Sequence, residues 1–227
     1  MIVEFSNTGK ANTLNISQIE AIMDVALQDE TEPLVFVSAI DRVFCAGADI
    51  DEFLDEEAYA RQTRLMLDMA EMLYRRPGAC VSIVDGYCGG GGLLFPCLSD
   101  LTIASGQAVF ACPEVKFDMF PGVVYWALLR KIDRNAAFRM CLEGEKIDVR
   151  SARDMGIVDV IFKTFSQEGA IDFAESRLGF LQYYRETRQL IGAAHSHQIP
   201  ELMHCNRNAG RTKEEIRRYL EGIRQRH

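Results

Sequence analysis

Val84-Asp85-Gly86-Tyr87-Cys88-Gly89-Gly90-Gly91-Gly92 ends one apolar run, Cys80 to Val84, and opens into another, Leu93 to Leu98. The first run is short, starts just after Pro77-Gly78 and reads as a strand; the second reads as a helix. Four consecutive glycines between them are costly, because glycine loses more backbone freedom on folding than any other residue. A tight turn with close helix–sheet packing accounts for one glycine. Four in a row point to backbone that approaches a ligand and aims N–H groups at it. A helix beginning at about Gly91 adds the positive end of its dipole, so the turn suits negative charge.

Other glycine-based anion sites fail on position. The dinucleotide pattern G-x-G-x-x-G is broken, since Cys88 stands two after Gly86 and Leu94 three after Gly91. No glycine-rich stretch ends in Gly-Lys-Ser/Thr, and no G-x-S-x-G elbow occurs. A nucleotide-dependent oxidoreductase is therefore disfavoured. The histidines, His195, His197, His204 and His227, all lie near the C-terminus. His195, His197, His204 and Cys205 lack standard ligand spacing, so no metal is expected.

Outward from the glycine run, strand and helix patterns alternate. Met1 to Ser6 reads as an opening strand, and Ser17 with Glu20 as the capping box of a first helix. Leu34 to Val37 is wholly apolar, as a strand buried on both faces would be. A loop around Gly47 precedes a long helix from about Glu56 to Arg76. Beyond the glycines come strands at Leu101 to Ala104 and Ala108 to Cys112, and a helical pattern from Tyr125 to Leu142. Val158 to Phe162 closes the core. This alternation predicts an α/β fold with largely parallel strands. The chain reads as helical from about Lys163, with a last helix from Thr212 capped by Glu215. We expect a core over residues 1–162 and a helical C-terminal extension over 163–227, with no internal repeat.

Composition narrows the function. The 227 residues are 48% hydrophobic, enough for a sizeable core. Val123 to Leu129 is the longest uninterrupted apolar stretch, well short of a membrane span of ~20 residues. The start, Met-Ile-Val-Glu-Phe, lacks the pattern of a signal peptide. A formal charge of −8 argues against a nucleic-acid binder. Between Arg207 and Arg226 seven Lys/Arg outnumber three Glu, a solvated helix face or a local patch for an anionic ligand. Seven cysteines, none at C-x-x-C spacing, suit a reducing, cytoplasmic setting.

Several segments together carry a family resemblance. Val43-Phe44-Cys45-Ala46-Gly47-Ala48-Asp49-Ile50 resembles the first signature of the crotonases, the enoyl-CoA hydratase/isomerase superfamily. Val84 to Gly92, followed by Asp100-Leu101, is similar to their second. Phe110-Ala111-Cys112-Pro113-Glu114 is similar to their third. Phe120-Pro121-Gly122 and Ala152-Arg153-Asp154-Met155-Gly156-Ile157-Val158-Asp159 match two further patterns. All fall in the family's order, between about residues 1 and 162.

The resemblance implies a ββα spiral core and an acyl thioester substrate, acyl-CoA or carrier-protein-bound. The thioester oxygen would sit between the backbone N–H groups of Ala48 and Gly91, so that loss of the α-proton gives a solvated enolate. Ala46, Gly47, Ala48, Asp49, Ile50 and Gly91 would lie along the coenzyme A portion, which is part of the substrate; no separate cofactor is implied. It also implies a homotrimer or hexamer. Hydratases of the family commonly use two glutamates, one three residues after the second donor and one in the Pro-Glu pair. Here the first position is Leu94 and the second is Glu114. Double-bond isomerisation from Δ3 to Δ2 needs only one acid/base, and Glu114, among Phe110, Val115, Phe117 and Phe120, suits that work. Asp118, four residues on, is a candidate second carboxylate, and Lys116 an unusual neighbour. Hydration or dehydration, decarboxylation, or thioester binding without catalysis are the alternatives.

Overall fold

Strands that are apolar at every position need cover on both faces, and the architecture supplies it. The computed structural model describes residues 1–7, 11–193, 217, 218 and 221. β1 (Ile2–Phe5) and β2 (Thr13–Leu14) lead into α1 (Ile16–Gln28). Three ββα turns follow. The first holds β3 (Leu34–Ser38), β4 (Val43–Cys45), a short β5 (Gly47–Ala48) and α2 (Glu56–Arg75). The second holds β6 (Cys80–Val84), β7 (Tyr87–Gly89) and α3 (Leu94–Leu98); the third holds β8 (Leu101–Ser105), β9 (Val109–Ala111), α4 (Gly122–Leu128) and α5 (Arg134–Glu143). β10 (Lys146–Asp148), α6 (Val149–Met155) and β11 (Val160–Phe162) precede α7 (Gln167–Glu175) and α8 (Leu178–Ala193).

β1-β3-β6-β8-β11 form one parallel sheet in that order. A smaller sheet runs β10-β9-β7-β4, with only the β10–β9 pair antiparallel. Each turn of chain therefore passes from the large sheet to the small one and then into a helix. The first core lies on the helix side, where Phe5, Phe36, Phe44 and Phe95 meet ring to ring. The second lies on the opposite face, where Val35, Val37, Val81 and Ile83 are covered by Ala170 and Ala174 of α7 and Leu181 of α8. The expected α/β class and spiral core are what the chain adopts.

Several local expectations shift. The first capping box is built from Asn15 and Gln18, not Ser17 and Glu20: Asn15 Oδ1 accepts from the Gln18 N–H at 2.9 Å, and Gln18 Oε1 accepts from the Asn15 N–H at 3.2 Å. Asparagine caps as well as serine, and the glutamine three residues on completes the pair. Glu20 instead reaches Arg61, 2.6 Å away. The pattern read as one helix from Tyr125 to Leu142 is two, because Asp133 starts α5 by accepting from the N–H groups of Asn135 and Ala136. The segment around Gly47, read as loop, carries β4 and β5. The expected helix at Thr212 with Glu215, the histidines and Cys205 lie outside the described residues. So does most of Arg207 to Arg226, apart from Arg217, Arg218 and Glu221, which are exposed.

α8 is fastened by a buried ion pair. Arg185 Nη1 lies 2.6 Å from Asp100 Oδ2, and neither side chain is exposed. The guanidinium also donates to the Arg76 and Leu73 carbonyls, while Asp100 Oδ2 accepts from the Cys80 N–H at 2.9 Å. Such a pair adds little over an apolar replacement, but removing Arg185 leaves the buried Asp100 carboxylate with only Arg188, whose Nη2 lies 3.2 Å from Oδ1. Arg185→Ala is expected to cost about 3–5 kcal/mol in urea denaturation, and Arg185→Leu with Asp100→Leu distinctly less than that. Equal losses in the single and double variants would contradict this account.

Candidate active site

β4–β5, β7 and β9 end close together, and this brings the sequence's candidates to one place. Gly47 adopts φ +98°, a conformation side chains disfavour, and a Cβ there would lie 2.9 Å from the Gly91 nitrogen and 2.8 Å from the Gly89 oxygen. A Cβ on Gly91 would in turn lie 3.4 Å from the Ala48 nitrogen. The two backbone nitrogens are thus near neighbours. N–H groups along an extended strand alternate in direction; the Asp49 N–H donates to the Leu14 carbonyl of β2 at 3.1 Å, so the Ala48 N–H turns the other way. Gly91 lies in the first turn of a 3-10 helix, Gly90–Leu93, where N–H groups have no carbonyl of their own helix to bond.

These donors border a cavity of about 140 Å³. Ala46, Ala48, Ile50, Gly90, Gly91 and Glu114 line it, while Gly47 and Asp49 alternate away. Asp49 is buried, and its carboxylate accepts from the Asp51 N–H at 3.2 Å. The rest of the wall is chiefly apolar: Phe53, Met66, Phe117, Met119, Phe120 and Val123.

Glu114 sits in a 3-10 turn, Pro113–Phe117, that β9 delivers to the cavity. Part of the residue is exposed, but Oε2 is buried and no protein donor reaches it. Oε1 faces the glycine turn, 3.0 Å from where a Gly90 Cβ would be. Burial pushes the carboxyl from an ordinary value near 4.5 up to about 7, against the opposing pull of its own backbone N–H and the Cys112 thiol. Cys112 itself stays a neutral thiol, hydrogen-bonded to Cys141 with sulfurs 3.5 Å apart and withdrawn from water.

The other candidates fall outside the cavity. Leu94, expected to face the site from three residues beyond Gly91, is wholly buried in the first core and does not line the cavity. Asp118 is exposed, ending the 3-10 turn at φ +57°, and Lys116 is exposed too. Among the described residues Glu114 is therefore the cavity's one carboxylate. Tyr59, Gln62, Thr63 and Met66 of α2 were missed as lining residues. Their spacing of three and four places them on one helix face, and a glutamine within that face was the available signal.

The family model for enoyl-CoA hydratase/isomerase matches residues 1–178. The chain belongs to the enoyl-CoA hydratase/isomerase family. It is 31% identical over 163 residues to the bacillaene synthase dehydratase PksH of Bacillus subtilis, covering 69% of this chain and 63% of that protein. It is 26% identical over 168 residues to the 2,3-dehydroadipyl-CoA hydratase of Escherichia coli, covering 71% and 65%. The aligned stretch thus spans somewhat under two thirds of these relatives' own lengths. The crystal structure of a PksH from B. subtilis superposes with a TM-score of 0.80 at 26% identity, covering 97% of this chain and 92% of that one. That of human enoyl-CoA hydratase domain-containing protein 3 shares the fold, with a TM-score of 0.76 at 19% identity. The family name spans both hydratases and isomerases. The choice rests on the carboxylates of this chain's own site.

Proposed function

We propose that this family member binds an acyl thioester, stabilises its enolate with the Ala48 and Gly91 N–H groups, and moves a double bond from Δ3 to Δ2 with Glu114 as the single acid/base. The observation that carries this reading is the lone carboxylate in a chiefly apolar cavity. With the thioester oxygen between the two donors, Glu114 takes the proton from C2 and the C2–H electron pair delocalises into the carbonyl. The C3=C4 bond then becomes C2=C3 as the same carboxyl returns the proton to C4. No water enters, and the balance closes on one proton. A carboxyl that titrates near neutrality both accepts and releases that proton readily. Coenzyme A, or a carrier-protein arm, is part of the substrate.

Hydration or dehydration is the second reading, favoured by the likeness to the PksH dehydratase; there Glu114 alone would handle both water and the carbon-bound proton. Product analysis separates the two. The first reading expects 3-enoyl-CoA to give 2-enoyl-CoA with no 3-hydroxyacyl product. A 3-hydroxyacyl product formed from 2-enoyl-CoA at a comparable rate would overturn it in favour of the second.

A further inference from the structure

Gln62 is an amide buried to 1% exposure in α2, on the helix face that also buries Met66 and Met69. The two N–H groups of its Nε2 are shared among three acceptors, the Leu14 carbonyl at 2.8 Å, Glu52 Oε2 at 2.7 Å and the more distant Asp49 carbonyl at 3.3 Å. Three acceptors around one atom fix which end of the amide is nitrogen. Glu52 in turn accepts from the Ile16 N–H, 3.2 Å from each carboxylate oxygen. One side chain thus ties together β2, the residue after β5, the 3-10 turn Glu52–Leu54 and the start of α1. Ala48 lies between the tied points: it is the register partner of Leu14 and the chain neighbour of Asp49.

The other end of the amide is unmatched, with no protein donor in reach of buried Oε1. A buried acceptor without a partner is destabilising, and methionine would fill similar space without it. Packing therefore does not account for an amide here; its donor end does. We propose that Gln62 is a positioning residue that holds the Ala48 N–H at the angle the thioester oxygen requires, acting through the backbone of Leu14 and Asp49. This rests on the enolate reading given above.

Deuterium uptake at C2 of 3-hexenoyl-CoA in heavy water, followed against concentration, reads enolate formation separately from binding. Gln62→Met is expected to slow saturating exchange by about 10- to 100-fold, since small misplacements of a donor have effects of that order. Its half-saturating concentration should stay within about twofold, because methionine keeps a side chain of similar size at that point of the cavity wall. Its Tm should fall only modestly, because the lost hydrogen bonds are partly offset by removal of the unmatched acceptor. Gln62→Lys offers three N–H donors to the same three acceptors and no acceptor of its own, and should recover exchange to within about threefold of the parent. Parental exchange in Gln62→Met would overturn the assignment. So would a folded Gln62→Lys that stays as slow as Gln62→Met. A parent chain showing neither uptake nor conversion to the 2-enoyl isomer would instead overturn the enolate reading itself, which keeps the two failures distinct.

Discussion

Glu114→Gln is expected to lower kcat for double-bond migration by about 10²- to 10⁴-fold, the usual contribution of a positioned acid/base. The amide keeps the shape of the side chain but neither takes nor returns a proton, so KM should change little. The pH dependence is a second reading of the same group. Proton abstraction needs the carboxylate, and burial sets the carboxyl at about 7. In the wild type, kcat/KM should therefore climb with pH to a plateau, with its midpoint near that value. Stability runs the other way. A carboxyl whose folded pKa lies above its unfolded one favours the protonated native state, so its contribution is full below about 4.5 and is lost as pH rises through about 7. Glu114→Gln should remove that decline, leaving the variant more stable than wild type at pH 8 while far less active. A variant with unaltered kcat would remove Glu114 from the chemistry.

The second large effect is expected at Gly47. A Cβ at that position would press on both the Gly89 oxygen and the Gly91 nitrogen, and the φ of +98° adds strain of about 1–3 kcal/mol for any other residue. Relief of the contact must displace one donor strand from the other. Losing a single oxyanion donor costs about 10²–10³ in kcat, and Gly47→Ala disturbs two, so a fall at the upper end of that range or beyond is expected. Gly106→Ala is the control, since only the Phe162 oxygen comes within 4.0 Å of its Cβ. It should leave both kcat and Tm nearly unchanged. Comparable losses in the two variants would mean that the glycine turn is merely fragile.

The difference between these two glycines also marks what the sequence made legible. The four-glycine run, the strand before it and the Pro113-Glu114 pair are local patterns, and they led to the right ends of β7 and β9. The alternation of apolar runs was enough for a parallel α/β core. What stayed hidden depends on neighbours distant in sequence. β5 is only Gly47–Ala48, paired with the equally brief β2, and no window of two residues shows a period. Leu94 was expected beside the site because the resemblance puts a glutamate at that position, and the packing of α3 turns it into the core. Gln62 is separated from Leu14 by 48 residues, so its role emerges only once α2 lies beneath β2 and β5. Arg185 likewise reads as an ordinary charge on a helix until the fold brings it to Asp100.

The central claim is that one thioester oxygen meets two backbone donors while one carboxylate reaches the carbons that gain and lose the proton. A crystal structure with an unreactive acyl-CoA analogue bound tests it most directly. The account predicts the carbonyl oxygen about 2.7–3.2 Å from both the Ala48 and Gly91 nitrogens, with Glu114 Oε1 close to both C2 and C4 and no other carboxylate nearby. A carbonyl bound away from these nitrogens, or a second carboxylate at C3, would contradict it.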